Sequence, residues 1–276
     1  MLINKKILFL GTFTLILSNS YFITAQSYLR LQKIKIISDS PLNQNIGFDN
    51  SSIINNGELN IIQNMIQPGD IIFDVGANKG DWSNLVFKYH NDIQLYAFEP
   101  IAAVYENLKR NLQNYNALCF NIAVSDKSEI KSFYYYTNPS HSELSGLYSR
   151  PILQKILPNS HPITIKVITK PLNSFCSEQK ISRINFLKID TEGAELDVLN
   201  GALSLIKQQA IDVIQFEYGG TYTDSKVTLK MAYDLLSQNN YSIFRIIPEG
   251  LVEISAWNEK LENYRYSNYL AIARGK

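Results

Sequence analysis

Asp70-Ile71-Ile72-Phe73-Asp74-Val75-Gly76-Ala77-Asn78-Lys79-Gly80 carries an apolar run straight into a turn with a glycine at each end. Ile71 to Val75 is bounded by Gly69-Asp70 and Gly76, which suits a short buried strand. Beyond Gly80, Trp82, Leu85, Val86 and Tyr89 recur at helical spacing within Asp81 to His90. A strand that turns through glycine into an amphipathic helix is the opening unit of an alternating α/β sheet.

Downstream the alternation continues. Ile93 to Phe98 reads as a strand, and Ala102 to Leu112 as a helix with Val104, Leu108 and Leu112 on one face. Leu118 to Val124 reads as a third strand. Phe133 to Tyr136 and Ile163 to Ile168 read as strands flanking a polar loop. Ile184 to Ile189 is a further buried strand, followed by a helix from about Ala194 to Ile206. Ile211 to Phe216, Val227 to Gln238 and Tyr241 to Ile247 continue as strand, helix and strand, and Tyr269 to Ala273 closes the sheet. The expected fold is α/β, with a doubly wound, mostly parallel, Rossmann-like sheet. Right-handed crossovers put the strands' carboxyl ends on one rim, where such sheets bind ligands.

Upstream, Glu58 to Met65 reads as a lead-in helix ended by Pro68-Gly69, and Ser38 to Asn56 as an irregular linker. Lys5 and Lys6 precede the apolar run Ile7 to Leu17, and Ala25 follows a polar stretch, the order of a secretory signal. A membrane anchor and a helix packed on the domain are the other readings of that segment. The expected organisation is therefore 1–37 as a hydrophobic N-terminal segment, 38–69 as linker and lead-in helix, and 70–276 as the main domain.

Bulk properties exclude some classes of partner. The chain of 276 residues has 26 Lys and Arg against 25 Asp and Glu, a net charge of +1. That balance gives no footprint for nucleic acid, which needs a clustered surplus of cations. Cys119 and Cys176 are too few for a disulfide framework and are expected as free thiols. No cluster has metal-ligand spacing, so no metal is expected.

Four segments fall on the expected rim. Gly76 permits a tight turn and Gly80 close packing where the helix begins, with its first amides open to a polar or anionic group. The pattern lacks the second and third glycines of the dinucleotide fingerprint, which argues against a nicotinamide oxidoreductase. Glu99, in Phe98-Glu99-Pro100, stands at the next strand's end, where a carboxylate can accept both hydroxyls of a ribose. A helix-capping acid is the alternative. Asn121 is placed to meet an adenine edge or simply to end a strand. Finally, Lys188-Ile189-Asp190-Thr191-Glu192-Gly193-Ala194-Glu195 gathers three carboxylates in six residues, more than a helix cap needs.

These segments stand in the order and spacing of the FkbM-type methyltransferase family, which the chain resembles from about Asp70 to Tyr218 and more loosely to Ala273. The Asp-Thr-Glu-Gly-Ala-Glu run is the most specific part. Val167 to Phe175 also resembles the family's pattern, with Asn173 where members usually carry Asp. The resemblance implies a class I methyltransferase sheet binding S-adenosylmethionine, with transfer most often to oxygen on a sugar or small natural product. It places Gly76, Asn78 and Gly80 at the methionine end of the cofactor, Glu99 at the ribose and Asn121 near the adenine, with Asp74 also among the cofactor-binding residues. Asp190 falls near the methyl group.

A hydroxyl acceptor benefits from a base. Asp190, Glu192 and Glu195 are the expected catalytic carboxylates, with His141 as a further candidate. Ser140 to Tyr148 is expected as a substrate lid. Expected partners are a small-molecule or glycan acceptor, no nucleic acid, and a membrane tether through Ile7 to Ala25. Asn138-Pro139-Ser140 lacks the aromatic needed to stack an extruded base. The cofactor is made inside cells, which sets the domain on the cytoplasmic side. A scaffold protein that kept the fold without turnover is the non-enzymatic alternative.

Overall fold

The computed structural model describes residues 30–37, 47–138, 141–157 and 159–275. Nine strands form the main sheet: β1 (Ile36–Ile37), β2 (Asp70–Val75), β3 (Ile93–Phe98), β4 (Ala117–Phe120), β8 (Ile184–Ile189), β9 (Ile211–Tyr218), β10 (Tyr241–Ile247), β11 (Gly250–Glu253) and β12 (Ser267–Ala273). Their order across the sheet is β1-β11-β10-β12-β9-β8-β2-β3-β4. β2, β3, β4, β8 and β9 pair in parallel, while β12 runs antiparallel between β9 and β10. The chain steps outward from β2 to β4, then returns to β8 on β2's other side. The order therefore reverses between β2 and β8, the point at which open sheets of this kind bind ligands.

Period-two alternation sorts the sheet's apolar residues to two faces. Phe73, Val75, Phe98, Ile189 and Phe216 share one core with α5 (Leu172–Gln179), α6 (Glu195–Gly201), α7 (Leu203–Lys207) and α8 (Leu229–Gln238). Ile72, Ala97, Phe186 and Val213 share the other with α1 (Glu58–Met65), α2 (Asp81–Tyr89) and α3 (Ala102–Leu112). Both faces are covered, which is why the strands read as continuous apolar runs.

The expected single strand from Leu118 to Val124 is corrected to two. β4 ends at Phe120, and β5 (Ala123–Val124) joins a separate sheet of order β5-β7-β6, with β6 (Glu129–Tyr135) and β7 (Ile163–Lys170). Asn121 causes the break: its Nδ2 donates to the carbonyls of Glu99 and Pro100 at 2.9 Å, pulling the chain off β4. Ile101, Val104, Ala123, Phe133 and Val167 seat the small sheet near α3. Between β6 and β7 an arm carries a 3₁₀ turn (Ser142–Leu144) and α4 (Pro151–Ile156). The expected helix from Ala194 to Ile206 is likewise two, which meet at Ala202 with φ −102 and ψ 4, and the first of them packs closely on the chain that leaves the small sheet. A Cβ on Gly201 would lie 2.1 Å from the Ser125 carbonyl oxygen.

Packing reaches upstream of Asp70. Arg30, 2% exposed, donates through both terminal nitrogens to the Asp70 carboxylate at 2.8 Å. β1 pairs with β11, and Ile61, Ile62 and Met65 of α1 are buried. The signal or anchor expected at Ile7 to Ala25 lies outside the described residues. Among the described residues no helix is long and apolar enough to cross a membrane.

Candidate active site

Register brings the rim together. Val75 is level with Phe98 on one side and Ile189 on the other, and Ile189 is level with Phe216. The next residue on each strand is therefore Gly76, Glu99, Asp190 or Glu217, all at one height. They border a cavity of about 560 Å³ above the switch point.

The glycine turn is built for close approach. Gly76 has φ +82, and a Cβ there would lie 1.7 Å from the Asp190 carbonyl oxygen. Gly80 has φ +91 and starts α2 against Leu108, as its packing role requires. Asn78, itself at φ 48, donates its backbone N–H to Glu99 Oε2 at 3.0 Å. Glu99 Oε1 accepts from the Ile101 N–H at 2.8 Å. Each oxygen keeps a lone pair for a vicinal diol. Burial pushes the Glu99 carboxyl up to about 7, against the pull of the two amides.

Asp74 does not reach the cavity wall. It is fully buried below it, with Oδ2 accepting from Ser83 Oγ at 2.6 Å and Oδ1 3.7 Å from Lys188 Nζ. Lys188 also donates to Asp190 Oδ2 at 3.0 Å. Burial alone would lower its pKa, but Asp190, Asp74 and Glu58 hold it above the ordinary lysine value. Asp74 thus fixes the lysine that fixes Asp190.

The three expected catalytic carboxylates part company. Asp190 and Glu192 line the cavity. Arg150, from the arm, donates to Glu192 Oε2 at 2.9 Å and lies 3.7 Å from Asp224. Burial pushes Glu192 up to about 8, with Arg150 opposing and Asp190 reinforcing the rise. Glu195 turns away from the cavity. Its oxygens accept from the Thr191 N–H at 2.8 Å, Thr191 Oγ1 at 2.9 Å and the Gly193 N–H at 3.1 Å. That set braces the tight loop, in which Glu192 itself has φ 55.

Glu217 was missed from sequence, although it follows an apolar strand run to the rim just as Glu99 does. It lines the cavity with Asp190 and Glu192, and oxygens of the three lie within 4.8 Å of one another. They are close enough to share one cation. Lys188 and Arg150 already answer two of them.

Other expected residues have structural partners. Asn121 ties two carbonyls, and its neighbours Ile122 and Ala123 line the cavity instead. His141 Nδ1 sits 2.8 Å from Ser160 Oγ within the arm, away from the cavity wall. Asn173 Oδ1 accepts from the Leu205 N–H at 3.2 Å, far from the rim chemistry. The expected lid does wall the cavity, through Glu143, Leu144, Ser145 and Leu147. Tyr148 anchors it to Asp197 at 2.7 Å. Trp82 was unmarked; 3% exposed, it lines the cavity and its Nε1 has no acceptor among the described residues.

The sheet order, with the glycine turn at its reversal point, is that of a class I methyltransferase fold. The model of the methyltransferase FkbM domain matches residues 74–243, more than half of the chain, and the chain belongs to that family. Among curated relatives, the antimetabolite synthetase AmbE of Pseudomonas aeruginosa is 27% identical over 57% of this chain, which spans 9% of AmbE's length. Methyltransferase 1 of Beauveria bassiana is 26% identical, covering 62% of this chain and 72% of its own. The 2-O-methyltransferase NoeI of Sinorhizobium fredii is 23% identical, covering 69% of this chain and 80% of its own.

Proposed function

We propose that this protein transfers the methyl group of S-adenosylmethionine to a hydroxyl of a sugar or small natural product. The observation that carries the cofactor reading is Glu99. Its two oxygens are held by backbone amides one strand from the glycine turn, and its outer lone pairs face the cavity. The residues present fit the cofactor. Gly76 leaves room for close backbone approach, Glu99 suits a diol, and the carboxylates at the far wall suit a cationic sulfur. NoeI, named as a 2-O-methyltransferase, supports an oxygen acceptor.

When bound, the cofactor supplies a methyl group already activated by the sulfonium. The chain's own task is alignment. Glu99 and the glycine turn hold one end, and Asp190 is fixed by Lys188 at the reacting end. The arm from Glu143 to Arg150 narrows the entrance and excludes water. Alignment of this kind is worth about 7–11 kcal/mol in favourable model reactions. We place the reaction on the cytoplasmic side, where the cofactor is made, with Ile7 to Ala25 as a tether. Recovery of a cleaved, exported protein on fractionation would contradict that placement.

The test is an acceptor screen with methyl-labelled cofactor against hydroxylated sugars and polyketide-type alcohols, read by mass spectrometry. One added methyl on oxygen supports the reading. Methyl appearing only on amine nitrogens would replace it.

A further inference from the structure

Three carboxylates meet at the reacting end of the cavity, and they are not equivalent. Asp190 accepts from Lys188 at 3.0 Å, and Glu192 from Arg150 at 2.9 Å. Glu217 lies within 4.8 Å of both, and its carboxylate has no hydrogen-bond donor among the described residues. Its strand position is fixed. Ile189 is level with Phe216, and the Glu217 carbonyl accepts from Tyr222 OH at 3.0 Å. The unpaired Trp82 Nε1 on the same wall independently marks the cavity as one that takes a polar ligand.

We propose that Glu217 takes the proton from the acceptor hydroxyl, and that the positive charge of the bound cofactor frees it to do so. The inference rests on the methyltransferase reading above. A general base needs an open lone pair and a high proton affinity. Asp190 and Glu192 each already spend a lone pair on a cation. Glu217 has the open lone pairs. It is faced by Asp190, Glu192 and Glu195 from the β8 loop, by Lys188 on β8, and by Tyr266, whose own ring hydroxyl feels Glu217 and Glu58. Burial first, then the three like charges, hold its pKa well above the usual carboxylate range, with Lys188 opposing. Neighbouring carboxylates resist double ionisation, so the pair Glu192 and Glu217 favours keeping a proton until a further positive charge arrives. A sulfonium beside them supplies the missing charge, and the proton leaves.

The transfer balances. The acceptor oxygen gains the methyl carbon, its proton passes to the Glu217 carboxylate, and the electron pair of the broken carbon–sulfur bond stays on sulfur. That proton stays on the carboxylate pair as the neutral thioether departs, and passes to solvent when the next sulfonium ligand binds.

No acceptor is needed for the test. Binding of S-adenosylmethionine and of S-adenosylhomocysteine to the full chain is measured calorimetrically near pH 7 in buffers of different ionisation enthalpy. The expected result is release of up to about one proton more with the sulfonium ligand, by linkage. Glu217→Gln should abolish most of that excess while binding the thioether within a few-fold of wild type, which also reports that the variant is folded. Glu192→Gln serves as the second variant: loss of one facing like charge should lower the proton affinity of Glu217, so that the excess falls there too. Sulfonium binding with an excess unchanged in Glu217→Gln would overturn the inference and leave the methyltransferase reading standing. Failure of the folded protein to bind either ligand would overturn both.

Discussion

Replacing Lys188 by Met tests the electrostatic core beneath the site. The ammonium lies 3.0 Å from Asp190 and 3.7 Å from Asp74, whose carboxylate is fully buried. Methionine fills similar volume without charge. Asp74 Oδ2 keeps Ser83, but Oδ1 loses its only counter-charge. Removing one partner of a buried pair costs about 3–5 kcal/mol. For a domain of this size each kcal/mol moves Tm by about 2–4 °C, so a fall on the order of 10 °C is expected. The sign with pH is also determined. Burial already raises the Asp74 pKa with Lys188 present, and loss of the lysine raises it further. A carboxyl with a raised folded-state pKa loses stability as pH rises through the window between its unfolded and folded values. The lysine's own contribution is lost only above its unfolded value near 10.4, while the raised carboxyls of Glu99, Glu192 and Glu195 give variant and wild type a common downward slope, so the difference between the two reports Asp74. The deficit should therefore grow as pH rises above the unfolded carboxyl value of about 3.9, as read by thermal melts at acid and neutral pH. A variant that melts with the wild type, or a deficit that ignores pH, would refute the reasoning.

Gly76→Ala should abolish cofactor binding and lower Tm, because φ is +82 and the new methyl would lie 1.7 Å from a backbone oxygen; calorimetry and melting measure both. Glu195→Ala should destabilise the Thr191–Gly193 loop by about 1–3 kcal/mol through unsatisfied amides, with Glu195→Gln recovering part of it in denaturant melts. Arg150→Ala should release the arm from Glu192 and Asp224, so limited proteolysis should cut within residues 141–157 several-fold faster than in the wild type.

The alternation of apolar runs with glycine turns made the central sheet legible, because strands buried on both faces carry their burial in their composition. Asp70 to Val75, Ile93 to Phe98 and Ile184 to Ile189 needed little more than that rule. The departures have local causes. Asn121 diverts the chain through two side-chain bonds to carbonyls that only the fold brings near it. α5 and β11 are short and lack a distinct period, so packing decides them. At the site, Glu99 was legible from its place after a strand. Asp74 and Glu195 were legible as important residues, but their roles as braces depend on partners visible only in three dimensions. Glu217 carries little signal in sequence, because it is a single carboxylate that completes a cluster across two strands. Arg150 reaches the site from 42 residues away in sequence, a distance over which spacing carries no signal.

The most direct test of the central claim is calorimetric titration of S-adenosylmethionine into the full chain beside Glu99→Ala and Glu99→Gln. Two charge-assisted hydrogen bonds to the ribose, at about 1.5–3 kcal/mol each, predict at least a 100-fold loss in the alanine variant and a smaller loss in the glutamine variant. Binding that is tight in the wild type and unchanged in both variants would contradict the placement of the ribose. No binding by a folded wild type would contradict the account as a whole.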